Sequence, residues 1–195
     1  PTPASTPLED VPVVSVPEVG VTRYFPLAPG SRFKYRSSVP IGTRVVYQTL
    51  EEEVLAEITV NEKHLIPVKR TQSGQPTDTL YYQVQPDQVI LVAERKPTQE
   101  QVVFYEFPIA EIRSPLEIGS SWVTQGKARI VSGLEHVTVP AGEYRNCLRI
   151  TEESELVKTV RWYAPGIGIV KQERITFPGK SYESHFTYEL STLNQ

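Results

Sequence analysis

Hydrophobic and polar residues alternate with period two through most of this chain. Residues 31–37 put Phe33 and Tyr35 on one face and Arg32, Lys34 and Arg36 on the other, as in a strand with one buried side. Similar runs occupy 43–50, 57–60, 64–71, 79–85, 88–95, 122–125, 128–139, 144–152, 156–163, 169–177 and 182–190. In the last, Ser184, Phe186, Tyr188 and Leu190 oppose His185, Thr187 and Glu189. The run 101–107, QVVFYEF, is apolar on both sides and reads as a central strand or one covered twice. Only 50–57 has helical character; it is short and flanked by β-branched runs, so it reads as a loop or a bent strand. Turn-forming residues separate the runs, among them Asn61-Glu62-Lys63, residues 73–78, Pro86-Asp87, Val139-Pro140-Ala141-Gly142 and Ala164-Pro165-Gly166-Ile167-Gly168. Short strands at this spacing, with no crossover helices for parallel pairing, predict an all-β antiparallel fold. About 10–12 strands would form a curved sheet, half-barrel, barrel or sandwich.

A repeat lies within the alternation. Pro26-Leu27-Ala28-Pro29-Gly30-Ser31-Arg32-Phe33 and Pro115-Leu116-Glu117-Ile118-Gly119-Ser120-Ser121-Trp122 share P-L-x-x-G-S-x-aromatic. Residues 65–71 then parallel 147–151, and Leu80-Tyr81-Tyr82 before Pro86 parallels Arg161-Trp162-Tyr163 before Pro165. A fixed order of turn signals predicts two pseudo-halves, 21–113 and 114–195, within one β domain spanning 21–195. Residues 1–20 hold five Pro and read as an extended linker.

Composition removes several functions. The chain has 195 residues, a net charge of −3 and one Cys. It has no global basic field for nucleic acid and no disulfide framework. Met is absent even at position 1, so a leader is expected to have been removed. A Pro-rich spacer after it predicts export to the periplasm or cell surface, with anchoring at the outer membrane through a lost N-terminal lipid.

Candidate chemistry is sparse. Glu51-Glu52-Glu53 and Glu152-Glu153-Glu155 are the acidic clusters and read as solvated edges or loops. His64, His136 and His185 show no metal-ligand spacing, and Cys147 lies mid-strand as a small apolar residue. Gly166-Ile167-Gly168 is a hairpin turn, not a phosphate cradle. Arg32, Lys34 and Arg36 alternate away from Phe33 and Tyr35, so base stacking and phosphate contact cannot share that surface. No metal, cofactor or catalytic residue is predicted. Ten Tyr, six Phe and two Trp remain. Phe33, Tyr35, Tyr82, Phe104, Trp122, Trp162, Phe186 and Tyr188 are the candidate interior, either a core or the lining of an apolar ligand pocket.

The stretch 139–171 carries V-P-A-G-x-[FY]-x-x-C-L-x-[IV] and then W-Y-x-P-G-[IV]-G-[IV]-V-K, from Val139-Pro140-Ala141-Gly142 through Cys147-Leu148 and Trp162-Tyr163 to Lys171. Upstream, Tyr24-Phe25-Pro26-Leu27 leads through Gly30 to Phe33 and Tyr35. This combination resembles a module of uncharacterised bacterial secreted proteins and lipoproteins. The resemblance implies a fold similar to the curved antiparallel sheets of lipoprotein carriers such as LolA, whose covering helices have no counterpart in this sequence. It supplies no catalytic residues. The resulting expectation is a non-enzymatic cell-envelope protein, an accessory or structural subunit working through contacts with an envelope partner. The alternative is a carrier of a hydrophobic small molecule, lipid or pigment; a hydrolase is the third reading.

Overall fold

The computed structural model describes residues 20–194 apart from 42, 74, 76 and 182. The predicted linker at 1–20 therefore lies almost wholly outside the described residues, as do parts of the predicted turn at 73–78 and the start of the last strand. One helical turn, α1 (Val21–Tyr24), precedes the strands. The first seven are β1 (Arg32–Ile41), β2 (Arg44–Val54), β3 (Ile58–Val60), β4 (Lys63–Gln72), β5 (Asp78–Val84), β6 (Gln88–Arg95) and β7 (Val103–Arg113). The rest are β8 (Ser121–Thr124), β9 (Lys127–Val139), β10 (Gly142–Glu153), β11 (Val157–Ala164), β12 (Gly168–Thr176) and β13 (Ser184–Asn194). The segment 50–57 is thus mostly strand: β2 runs through Val54, and only 55–57 separate it from β3.

All pairings are antiparallel, in the order β7-β6-β5-β4-β2-β1-β13-β12-β11-β10-β9-β8, with β3 on β4. The sheet curls until it is nearly a closed barrel. The order contains two runs of six, each read from its last strand to its first: β7 back to β1, then β13 back to β8. They join where β1 pairs β13, from Arg32↔Asn194 to Ser38↔Thr187.

The two P-L-x-x-G-S turns make the same bonds. Gly30 N donates to Val54 O and Gly119 N to Val131 O, each at 2.8 Å. Val54 N returns to Ser31 O and Val131 N to Ser120 O, each at 2.9 Å. Both glycines are left-handed, with φ of 92° and 94°, a conformation that is inexpensive only without a Cβ.

Between β7 and β8 the described residues form no ladder; side chains bridge the gap instead. Thr124 Oγ1 accepts from Ala110 N at 3.0 Å, and Trp122 Nε1 donates to Ala110 O at 3.0 Å. Gln125 Nε2 reaches Phe107 O at 3.2 Å. Arg129 Nη1 donates to the carbonyls of Ala110 and Glu111 at 2.8 and 3.0 Å. These side chains satisfy backbone groups that a neighbouring strand would otherwise take. Of the two readings of 101–107, a central strand or one covered on both sides, the central position fails, because β7 stands at the end of the sheet order. Its apolar residues on both faces have separate uses. Tyr105 turns inward, Phe104 packs outward, and Phe107, 67% exposed, sits where the β6–β7 register slips between Leu91↔Ile109 and Ala93↔Phe104.

The core fills one end of the barrel. Phe33, Val54, Val68, Tyr82, Tyr163 and Leu190 are buried there. Residues 21–28 cross beneath them as a plug. Val21 is fully buried, and Phe25 stands between Tyr82 and Tyr163 at centroid distances of 5.5 and 6.0 Å. Gly166 N, in the β11–β12 turn, ties that hairpin to the plug by donating to Arg23 O at 2.6 Å. A smaller cluster of Leu65, Tyr81, Val92 and Ala93 lies on the opposite face of β4–β6, with Val60 of β3 against it.

Candidate functional site

Above the plug, inward-facing side chains leave an open cleft of about 690 Å³. Strand alternation sets its layers. On β1, Phe33 at the floor gives way to Tyr35; on β2, Val54 to Glu52 and Leu50; on β4, Val68 to Arg70. On β11, Tyr163 gives way to Arg161; on β13, Leu190 to Tyr188 and Phe186. β12 adds Gln172, Arg174 and Thr176 towards the mouth, and β7 adds Tyr105 and Glu111.

The middle of the cleft is ionic. Glu52 and Arg70 are cross-strand partners, with Arg70 Nε 3.3 Å from Glu52 Oε1. That N–H is buried but not aligned for a hydrogen bond. In the other run of strands the cross-strand partners are Arg129 and Glu152, with Nε donating to Oε2 at 2.8 Å. The P-L-x-x-G-S turns align Val54 with Val131, hence Glu52 with Arg129 two residues earlier. The matching positions therefore carry an ion pair of reversed polarity. Arg129, only 4% exposed in its side chain, also holds Glu111 Oε2 at 2.9 Å. Arg161 donates from Nε to Gln172 Oε1 at 2.8 Å and stands 4.0 Å from Glu152.

These surroundings shift the acids in different directions. Burial raises the Glu52 carboxyl above the ordinary range; Arg70 offsets this only in part, and Glu111 adds to it. Burial is the largest influence on Glu111 and Glu152 and pushes both up, but Arg129 and Arg161 together, with Lys127 at Glu152, outweigh it, and both carboxyls lie below the ordinary range. Desolvation drives Tyr35 and Tyr82 well up and takes Tyr105 and Tyr163 to about 12. All four therefore stay neutral phenols at physiological pH. Carboxylates pushed apart in this way are also a mark of acid–base sites, but each one here is held by an arginine, which fits structural ion pairing equally well.

The eight predicted interior residues do not converge on one site. Tyr35, Tyr82, Phe186 and Tyr188 line the cleft, and Phe33 lies in a contiguous floor pocket of about 60 Å³. Trp122 is used at the seam. Phe104 packs on the outer cluster with Lys63 over its ring at 5.1 Å. Trp162 lies across β11 from Arg161 and Tyr163, between the cations of Arg149 and Lys171, with Nε1 donating to Glu135 Oε2 at 2.7 Å. The expectation of solvated edges fails for Glu52 and Glu152, since the period-two rule turns the middle member of Glu51-Glu52-Glu53 inward. The charged lining, Glu52, Glu94, Glu111, Arg70, Arg161 and Arg174, carried no sequence motif. Its one signal was a charge in phase with buried apolar neighbours, as in Leu50-Glu51-Glu52-Glu53-Val54.

The other candidates stand apart from the cleft. Cys147 is fully buried and not among the cleft-lining residues, its thiol pushed to about 11 by burial and by the Glu135 charge. His64, His136 and His185 are exposed beside Glu57, Glu143 and Glu183. Among the described residues, no group of three or more His, Cys, Asp or Glu is placed to hold a metal ion. The basic face of β1 is neutralised by Arg32–Glu53 at 2.7 Å, Lys34–Glu51 at 3.0 Å and Arg36–Glu189 at 3.7 Å.

Fold and cleft define an all-β protein, a nearly closed antiparallel barrel plugged at one end and open with charged walls at the other. A model of the DUF3108-like family matches residues 118–182, from the turn before β8 to the turn before β13. A crystal structure of a candidate lipoprotein from Parabacteroides distasonis superposes with a TM-score of 0.55 at 13% identity, covering 88% of this chain and 98% of that one. A candidate exported protein with a YmcC-like fold, from Bacteroides fragilis, gives a TM-score of 0.54 at 13% identity, covering 86% and 97%. At that identity the likeness is one of fold. No curated protein matches the chain.

Proposed function

We propose that this is an exported, non-catalytic binding protein that holds a small ligand in the open end of its barrel. The cleft of about 690 Å³ carries this reading; it falls within the size range of small-molecule sites and combines aromatic walls with a few fixed polar groups. Export is supported by the Pro-rich N-terminal composition and by the two structural neighbours, one a candidate lipoprotein and the other a candidate exported protein. The absence of catalysis is supported by the arginines that engage Glu52, Glu111 and Glu152, and by the position of Cys147 outside the cleft. A lipid or pigment carrier fits less well. A long apolar chain would strip water from the Glu52–Arg70 pair without replacing it, and the apolar floor pocket holds only about 60 Å³.

The test is a thermal-shift screen with neutral and charged ring compounds, repeated on Thr176→Trp, which narrows the mouth. Ligands that stabilise the wild-type protein should lose their effect on the variant. Equal shifts for both proteins would remove the cleft as the site.

An accessory role through protein contacts has its own support. Phe107 and Val123 are 67% and 70% exposed on the strands that flank the seam. A photo-crosslinking residue at 107 or 123, in cells that express the protein natively, should give one discrete adduct that the same residue at Arg145 does not. Identical adducts from all three positions would count against this reading.

A further inference from the structure

The cleft's ion pairs leave one cation over. Arg70 is taken by Glu52, and Glu111 and Glu152 by Arg129. Glu94 stands 3.3 Å from Lys96. Arg161 has Gln172 at 2.8 Å and only a distant 4.0 Å contact with Glu152, whose closer partners are Arg129 and Lys127. Arg174, at the mouth, makes no ion pair or hydrogen bond through its side chain with any described residue.

The register puts the two under-used arginines on one wall. Arg161 pairs with Gln172 across β11–β12, and Arg174 is the next inward residue along β12. Diagonal neighbours of this kind lie about 7–8 Å apart, close enough for one anionic group to meet both guanidinium forks. On the other side of β12, Gln172 pairs with Tyr188 and Arg174 with Phe186. Arg174 thus adjoins Phe186 directly and Arg161 stands one strand away from Tyr188, across Gln172; both rings line the cleft and are half-buried.

We propose that Arg161 and Arg174, with Phe186 and Tyr188, form the recognition site for a small aromatic anion: a carboxylate, sulfonate or phosphoryl group on a planar ring. This rests on the reading of the cleft as a ligand site and assigns the ligand's chemistry. The anionic group supplies a counter-charge that no described residue gives Arg174, and charge-assisted bonds to arginine are strong and directional. The ring takes the Phe186–Tyr188 wall. The plug at the floor limits the ligand to one that fits wholly within the cleft.

The test compares two fluorescent probes of similar ring size, anionic 8-anilinonaphthalene-1-sulfonate and neutral N-phenyl-1-naphthylamine. They are titrated into the wild-type chain, Arg174→Gln, Arg161→Gln and an outer control, Arg145→Gln. Near-ultraviolet circular dichroism confirms that each variant keeps its native packing. The anionic probe should bind the wild type at least tenfold more tightly than the neutral one. Each cleft variant should lose about tenfold in affinity for it, as expected for one charge-assisted bond, with Arg145→Gln unchanged. Binding should perturb the amide resonances of Gln172, Arg174, Phe186 and Tyr188. If both probes bind equally and Arg174→Gln changes neither, the cleft is a ligand site but the anion assignment is wrong. If neither probe binds and no resonance in the cleft moves, the assignment and the cleft reading both fail.

Discussion

Replacing Arg129 by Met should unfasten the barrel at its seam. The side chain donates four hydrogen bonds: to Glu152 Oε2, to Glu111 Oε2, and to the carbonyls of Ala110 and Glu111. Met restores the apolar volume and none of the donors. Glu152 keeps Lys127 at 3.3 Å and Arg161 at 4.0 Å. Glu111, 13% exposed in its side chain, loses its one direct ion-pair partner among the described residues. Removing one member of a buried pair costs about 3–5 kcal/mol. For a chain of this size that corresponds to a fall of roughly 6–20 °C in midpoint. The loss should depend on pH. In the wild-type protein Glu111 and Glu152 titrate below the ordinary range, so their stabilisation is complete above the unfolded pKa and is lost as pH falls through the lower, folded values. In the variant, burial at Glu111 is no longer opposed by Arg129, and its pKa rises. The destabilisation is then full at pH 7 and eases as Glu111 takes up a proton on acidification. Urea denaturation of both proteins from pH 7 to pH 4 should show the gap narrowing, and adding Glu111→Gln should recover part of the loss. A gap under about 1 kcal/mol, or one constant with pH, would show that Arg129 does not hold the seam through these carboxylates.

Phe25→Ala should remove the ring between Tyr82 and Tyr163 and cost about 3 kcal/mol by denaturant unfolding; a loss under 1 kcal/mol would mean that residues 21–28 do not act as a plug. Gly30→Ala and Gly119→Ala should each destabilise by about 1–2 kcal/mol, because both sit at positive φ. The two losses should agree closely, since the turns make the same bonds; a large inequality would argue against their equivalence. Cys147, with its thiol raised to about 11, should react with a thiol reagent at pH 7.5 far more slowly than in urea. Stoichiometric labelling of the native protein within minutes would contradict its burial.

Strand positions were legible in the sequence because period-two alternation and Pro/Gly turns are local signals. The pattern shared by 26–33 and 115–122 was legible for the same reason, as both turns need a glycine in the left-handed region. The cleft was not legible. Glu52 is bracketed by two solvent-facing glutamates, and composition alone reads the trio as a surface edge. Only the phase set by Leu50 and Val54 turns Glu52 inward, and only the pairing of β2 with β4 supplies Arg70. The edge position of β7 was hidden for a different reason. Apolar residues on both faces usually mark a central strand, and here they serve an outer cluster, a cleft wall and an exposed register slip.

The reversed ion pairs bear on how the chain avoids misfolding. A protein with two similar runs of strands risks exchanging equivalent pieces within one molecule or between copies. If β9 took the place of β2, Arg129 would face Arg70; if β2 took the place of β9, Glu52 would face Glu152. Either error sets like charges directly opposite each other across neighbouring strands, which is destabilising. The correct partners carry opposite charges in both runs, so the polarity of each pair works as a key that admits its own strand and rejects the copy.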